Sequence, residues 1–186
     1  MKQAALIALG SLLWLAGCTP PASIPQGVQV YFSPNGGATQ AVVTALDQAT
    51  NTVLVQAYSF TSAPIAQALV DARRRGVTVQ VILDKSQRTE KYSEADFLVH
   101  NQIPTLIDAE HAIAHNKIIV IDGYLVLTGS FNFTKAAEEH NAENLLVIND
   151  PTLASRYLEN WHAHERHSEP YERGPRPEPR PHSVRE

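Results

Sequence analysis

The sequence is short of cysteine, of methionine and of net charge. Its single cysteine, Cys18, leaves no partner for a disulfide within the chain and excludes paired-cysteine zinc motifs. No H-E-x-x-H stretch occurs either, so neither a metal nor another cofactor is expected. Lys plus Arg number 15 against 19 Asp plus Glu, a formal charge of -4 at neutral pH. That balance excludes binding of polyanions through bulk charge; any anion site must come from local clustering. No apolar run reaches the roughly 20 residues that a membrane-spanning helix needs. The chain has 186 residues, enough for one domain with a sizeable core once a leader and a polar tail are subtracted.

The leader is the run from Ala4 to Gly17, which follows Lys2 and has the length of a signal-peptide apolar region. It ends Leu15-Ala16-Gly17-Cys18, which resembles the lipobox of bacterial lipoproteins. The resemblance implies export and a membrane anchor on lipidated Cys18, on the periplasmic side; Thr19, rather than Asp, implies sorting to the outer membrane of a two-membrane bacterium. Residues 19–27, rich in Pro, Ser and Gly, read as a tether. From Ser168 onward Pro, Arg and Glu dominate, too little apolar surface to offset ordering entropy, so residues 168–186 read as a disordered tail. The catalytic domain is expected over residues 28–167.

Within that span strand and helix patterns alternate. Val28, Val30 and Phe32 recur at period two, then Ala38, Val42, Ala45, Leu46 and Ala49 at helical spacing. Thr52 to Tyr58 is a β-branched strand, and Ile65, Ala68, Leu69 and Ala72 stripe a helix opened by Ser62 and Pro64 and closed by Gly76. Val77 to Leu83 reads as a strong strand, Ala95 to Val99 as a short helix and Thr105 to Ile107 as a brief strand. Lys117 to Ile121 and Leu125 to Thr128 are strands joined by the turn signal Asp122-Gly123, and Leu145 to Ile148 is the last strand. Asp150-Pro151 then opens a helix striped by Leu153, Ala154, Tyr157, Leu158 and Trp161. The expected fold is α/β: a mixed, mostly parallel sheet sandwiched by helices on both faces.

The chemistry concentrates in His115-Asn116-Lys117 through Asp122, followed by Gly129-Ser130-Phe131-Asn132-Phe133. On a strand His115 and Lys117 project to one face, because the side-chain period is two. An imidazole serves as nucleophile or proton donor near neutral pH. An ammonium beside it neutralises a phosphoryl oxygen as charge develops. Ser130 and Asn132, also two apart, can donate hydrogen bonds to the same phosphate.

H-x-K-x4-D followed by G-S-x-N resembles the signature of the phospholipase D superfamily. Asp84 to Thr89, Ile113 to Lys117, Thr128 to Thr134 and Asn141-Ala142-Glu143-Asn144 resemble, more narrowly, the small secreted plasmid-type endonucleases that carry one motif, over about Ile24 to His167. The resemblance implies a phospholipase D-like fold and a metal-independent two-step mechanism. His115 of one subunit forms a phosphohistidine, and the partner subunit's His115 protonates the leaving oxygen, so a homodimer shares one site. The physical requirement points the same way: one imidazole cannot be unprotonated nucleophile and protonated acid at once. Glu143 matches the family carboxylate that holds a histidine ring, its partner within one chain being His115. Asp122, in a turn, is expected to fix backbone geometry, and two lysines supply the charge that cations supply elsewhere.

Lys85, Arg88 and Lys91 follow a strand whose C-terminal end is a usual site position, and are candidates to line a groove for a phosphate backbone; a mobile polar loop is the bland alternative. Arg73, Arg74 and Arg75 read as the solvated end of a helix. His162, His164 and His167 are expected to scatter, exposed, around a helix end, and His100, His111 and His140 have no evident partner. The leading expectation is a nonspecific endonuclease acting on DNA, with RNA left open. A lipid phosphodiesterase, cleaving phospholipids such as cardiolipin, is the second, and a non-catalytic envelope protein that binds nucleic acid or lipid is the third.

Overall fold

The computed structural model describes residues 27–172. The expected leader, Cys18 and most of the tether lie outside those residues. Their organising element is an eight-stranded sheet in the order β1-β7-β6-β5-β2-β3-β4-β8. The strands are β1 (Val28–Phe32), β2 (Thr52–Ala57), β3 (Thr78–Asp84), β4 (Thr105–Asp108), β5 (Lys117–Ile121), β6 (Leu125–Gly129), β7 (Asn144–Asn149) and β8 (Glu169–Pro170). The helices are α1 (Ala38–Asp47), α2 (Ala63–Arg74), α3 (Ala95–His100), α4 (Lys135–Glu139) and α5 (Pro151–Glu165), with a 3-10 turn over Lys85–Arg88.

The sheet is mixed and covered on both faces, but the expected parallel majority is corrected. Only β2/β3 and β3/β4 pair in parallel; β1/β7, β2/β5, β4/β8, β5/β6 and β6/β7 are antiparallel. The reason is connection length. Helical crossovers join β2, β3 and β4, whereas β5 and β6 meet through a three-residue turn and can only run antiparallel.

One face carries α1 to α4 over the main core, in which Leu46, Val55, Phe60, Leu69, Leu83, Ile119 and Phe133 are buried. The other carries α5: Trp161 lies over Leu54 and Ile82, and its indole N–H donates to the Val55 carbonyl at 2.9 Å. Asp150 caps α5 as its sequence suggested, accepting from the amides of Thr152 and Leu153. No side chain of its own caps α1, which begins after Gly37; instead the Glu138 carboxylate, from α4, accepts from the amides of Gly37 and Thr39 at 3.1 and 2.7 Å. The short α4 carries too few apolar positions to announce itself, and sequence reasoning missed it.

Residues 168–172, expected to open a disordered tail, belong to the fold, and residues 173–186 lie outside the described residues. Strand β8 pairs with β4, the Tyr171 amide donates to the Thr105 carbonyl at 2.8 Å, and its ring packs against the main core. An edge strand of two residues has no periodicity to read; it exists because α5 delivers it beside β4.

Candidate active site

The site is built where one end of the sheet gathers four chain segments. Ala57 pairs with Lys117, Ile118 with Thr128 and Gly129 with Leu145, so the end of β2, the start of β5, the end of β6 and the start of β7 share one edge. His115 lies just before β5 and is exposed, whereas Lys117, the first residue of β5, is only 6% exposed. The Lys117 Nζ donates to the His115 carbonyl at 3.0 Å and lies 5.0 Å from the centre of the Tyr58 ring. The same tyrosine meets the His115 imidazole, with ring centroids 4.6 Å apart. Tyr58 therefore positions both groups, and sequence reasoning, which saw in it only a strand end, missed it. The Tyr58 amide bonds to the Asn116 carbonyl at 2.8 Å, which carries the ladder one residue past β2 and sets the ring there.

Burial pushes the Lys117 ammonium below the usual lysine value, with the negative charge of Glu143 acting in the opposite direction. The imidazole of His115 makes no hydrogen bond to any described residue, so a ring nitrogen is free to meet a substrate.

Ser130 projects from the corner after β6. Its Oγ accepts from the Asn144 amide at 3.1 Å and from the Asn144 side-chain amide at 3.3 Å. Both lone pairs are thus used, and what the hydroxyl retains is its proton, which makes it a donor towards an anion. The corner itself depends on Gly129, at φ 151, where a Cβ would run into the Asn144 carbonyl. That same carbonyl accepts from the amides of Ser130 and Phe131, both at 3.1 Å. The side-chain oxygen of Asn132 is buried without a hydrogen-bond partner, an uncommitted polar group in a fold that satisfies most others.

Glu143 falls just before β7 rather than on it, and its carboxylate accepts from the Asn141 side chain at 3.2 Å. A bond to His115 is not among its contacts; Lys117 is the site residue whose charge it influences. The Ser33 hydroxyl holds this segment in place, donating to the Asn141 carbonyl at 2.9 Å and accepting from the Glu143 amide at 3.1 Å. Asp122 lies at the far end of β5. Its carboxylate accepts from the amides of Thr50, Asn51 and Thr52 and from the Thr50 hydroxyl, all within 2.9 Å. Burial opposes its charge, yet these bonds outweigh it and hold the carboxyl below its usual range.

A family model described as cardiolipin synthase, PLD-like domain, matches residues 42–164. The chain belongs to the phospholipase D superfamily. It is 43% identical over 134 residues to a phospholipase D of Rickettsia conorii, spanning 72% of this chain and 67% of that protein. To a mitochondrial cardiolipin hydrolase of Chlamydomonas reinhardtii it is 32% identical over 116 residues, about half of that protein's length (52%) and 62% of this chain. The crystal structure of the phospholipase D family member Nuc from Salmonella typhimurium superimposes with a TM-score of 0.74 at 42% identity, covering 77% of this chain and 97% of that one. NucT from Helicobacter pylori shares the fold, with a TM-score of 0.70 at 23% identity. As a phospholipase D superfamily member the protein is a phosphodiesterase hydrolase.

The other expected site residues are engaged elsewhere. The Lys85 ammonium donates to the His111 carbonyl at 2.8 Å, Arg88 pairs with Glu169 at 2.9 Å, and the Lys91 ammonium lies 5.1 Å from the centre of the Tyr92 ring. Two histidine readings are corrected. His164 and His167 are not scattered but converge with His111 on Asp108, which is fully buried at the end of β4. His164 lies in the last turn of α5 and His167 in the turn that follows it, and both rings turn towards Asp108. His162 does remain at the surface, bonded to Glu165 at 2.9 Å.

Proposed function

We propose that this phosphodiesterase is a nonspecific endonuclease that hydrolyses DNA, and RNA by the same chemistry, through a phosphohistidine formed in a site shared by two copies of the chain. A ring nitrogen of His115 attacks phosphorus, and the bond from phosphorus to the leaving oxygen breaks. The partner subunit's His115 gives that oxygen a proton. Water, losing a proton to the same histidine, then attacks the phosphohistidine and breaks its phosphorus–nitrogen bond. Lys117 from each copy and the Ser130 hydroxyl receive the non-bridging oxygens, so the chemical step itself needs no metal. Glu143 modulates Lys117 within its own chain.

The observation that carries the nuclease reading is the ordered set of segments shared with the small secreted endonucleases, together with 42% identity to Nuc over 97% of that chain. The names of the rickettsial relatives and of the cardiolipin hydrolases favour the second reading, a phospholipid substrate at the same site. A shared site is supported by an uncovered apolar strip. On the face that carries α5, Val28, Val30, Leu146 and Ile148 are only partly buried and Phe32 is 63% exposed, and this strip ends at Asn144, which holds Ser130. A second copy covering it would bring two sites together. Lipidated Cys18 would hold the enzyme to the membrane, on the periplasmic side and, in a two-membrane bacterium, on the outer membrane.

The test is cleavage by the full-length protein of plasmid DNA and of phospholipid in mixed detergent micelles, both without and with excess chelator, well below the melting temperature. Cleavage of DNA that disappears in His115→Asn is expected. Cleavage of phospholipid alone would replace this reading with the second, and cleavage of neither would leave a binding protein.

A further inference from the structure

A second cluster of chemistry lies on the α5 face of the sheet, outside the His115 pocket. Its centre is Asp108, the last residue of β4, with no exposure to solvent. Three imidazoles from three different segments point at its carboxylate. His111, in the loop after β4, brings Nδ1 to 3.1 Å of both oxygens. His164, in the last turn of α5, brings Nδ1 to 2.7 Å of Oδ2. His167, in the turn between α5 and β8, brings Nε2 to 3.3 Å of that same oxygen. The rings lie 4.9 to 5.3 Å apart between centroids.

Protons alone satisfy this arrangement poorly. Three nitrogens crowd Oδ2, and the His167 Nε2 is buried with no acceptable hydrogen bond. Protonating all three rings would set three cations side by side around one carboxylate. A divalent cation resolves the conflict, because neutral imidazoles and a carboxylate are its ligands. One candidate ligand atom from each of the four side chains lies within 4.8 Å of every other. Tetrahedral zinc with bonds near 2.0 Å sets its ligands about 3.3 Å apart, so closure takes side-chain rotations of about an ångström. The surroundings also fit. The Glu110 carboxylate lies 3.3 Å from the other ring nitrogen of His167, the carboxylate–histidine–metal arrangement that orients a ligating ring.

We propose that Asp108, His111, His164 and His167 form a structural metal centre for a divalent cation of the zinc type. The donor set of three nitrogens and one oxygen selects zinc, or cobalt as its spectroscopic stand-in, over magnesium and calcium, which prefer oxygen. Four protein ligands leave no open position, which marks a structural centre rather than a catalytic one. Its mechanical effect follows from connectivity. The ion ties the end of α5 and the turn into β8 to β4 and to the loop of residues 109–114, and that loop runs directly into His115. The centre thus secures the segment that delivers the reactive imidazole without touching the phosphate. This inference does not depend on whether the substrate is nucleic acid or lipid.

The test uses the full-length protein, stripped with chelator and titrated with Zn²⁺ and with Co²⁺. One equivalent of Zn²⁺ per chain, a rise in melting temperature and the intense visible bands of tetrahedral Co²⁺ are expected. His111→Asn, in a partly exposed loop and so tolerated by the fold, should abolish the cobalt bands. Glu110→Gln should weaken binding about tenfold. His140→Ala, remote from the cluster, should change nothing. Hydrogen exchange over residues 109–116 should slow when Zn²⁺ binds. The proposal is overturned if the stripped protein binds no stoichiometric metal, or if His111→Asn leaves the cobalt spectrum intact. Either result would leave a histidine cluster held to Asp108 by hydrogen bonds alone.

Discussion

The Lys117 ammonium donates to the backbone oxygen of His115, 3.0 Å away, so the residue that neutralises phosphate also fixes the chain that carries the imidazole. The cation is nearly buried, against the Tyr58 ring, while the imidazole over that ring faces solvent. Charge in a low-dielectric wall and a reactive nitrogen at the opening are what phosphoryl transfer needs.

If each phosphate is flanked by one His115 from either subunit, activity depends on pairs. His115→Asn should fold normally, because the side chain is exposed and makes no hydrogen bond, and should lose at least about a thousandfold in rate. Mixed and re-equilibrated with wild type, it should lower activity as the square of the wild-type fraction. A linear decline would show that each chain works alone.

Burial depresses the proton affinity of Lys117, so the native state releases that proton at a lower pH than the unfolded chain. Between the depressed native value and the ordinary 10.5 the unfolded chain holds more protons, and this group's contribution to stability rises with pH across that window. Lys117→Met keeps the packed stem and removes the buried charge. Its melting temperature at neutral pH should match or exceed that of wild type while cleavage is lost. The alkaline limb of the wild-type pH profile should begin below 10.5, and in Lys117→Arg it should move upward. A Lys117→Met variant that unfolds would contradict the stated cost of burial.

Asp122 supports stability rather than chemistry. Its folded-state affinity for a proton is lowered, so its contribution is complete above the unfolded value of 3.8 and is lost as pH falls through the lower, native one. Asp122→Asn keeps the left-handed turn conformation, φ 52, but surrenders charge-assisted acceptors, and should cost about 2 kcal/mol in denaturant melts. Cleavage at a temperature where the variant stays folded should match wild type. A large loss there would give the residue a part in the reaction.

Lipidation at Cys18 predicts that labelled fatty acid is incorporated during expression and that Cys18→Ser incorporates none and leaves the membrane fraction. Labelling that survives the substitution would remove the anchor from this account.

Much of the active site was legible because its parts are local. His115 with Lys117, Ser130 with Asn132, and the Asp122-Gly123 turn each declare themselves within three residues, and strand alternation places them at sheet ends. Residues joined only through space were not. Tyr58 is separated from His115 by two helices and two strands, and nothing in the run Thr52 to Tyr58 distinguishes its last member. Glu138, which caps α1 from α4 a hundred residues away, is invisible for the same reason, and so is Ser33 beneath Glu143.

By itself the sequence determined which side chains could do chemistry, where most strands and helices lie, and that each chain brings a single reactive motif. Those are properties of spacing, and spacing is written along the chain. Tertiary structure alone decided the sheet order, the antiparallel majority and the meeting of His111, His164 and His167 at Asp108. His164 lies 56 residues beyond the aspartate it bonds, and which face of α5 turns inward depends on the burial of Trp161 and Leu158 against the sheet, not on the histidines themselves.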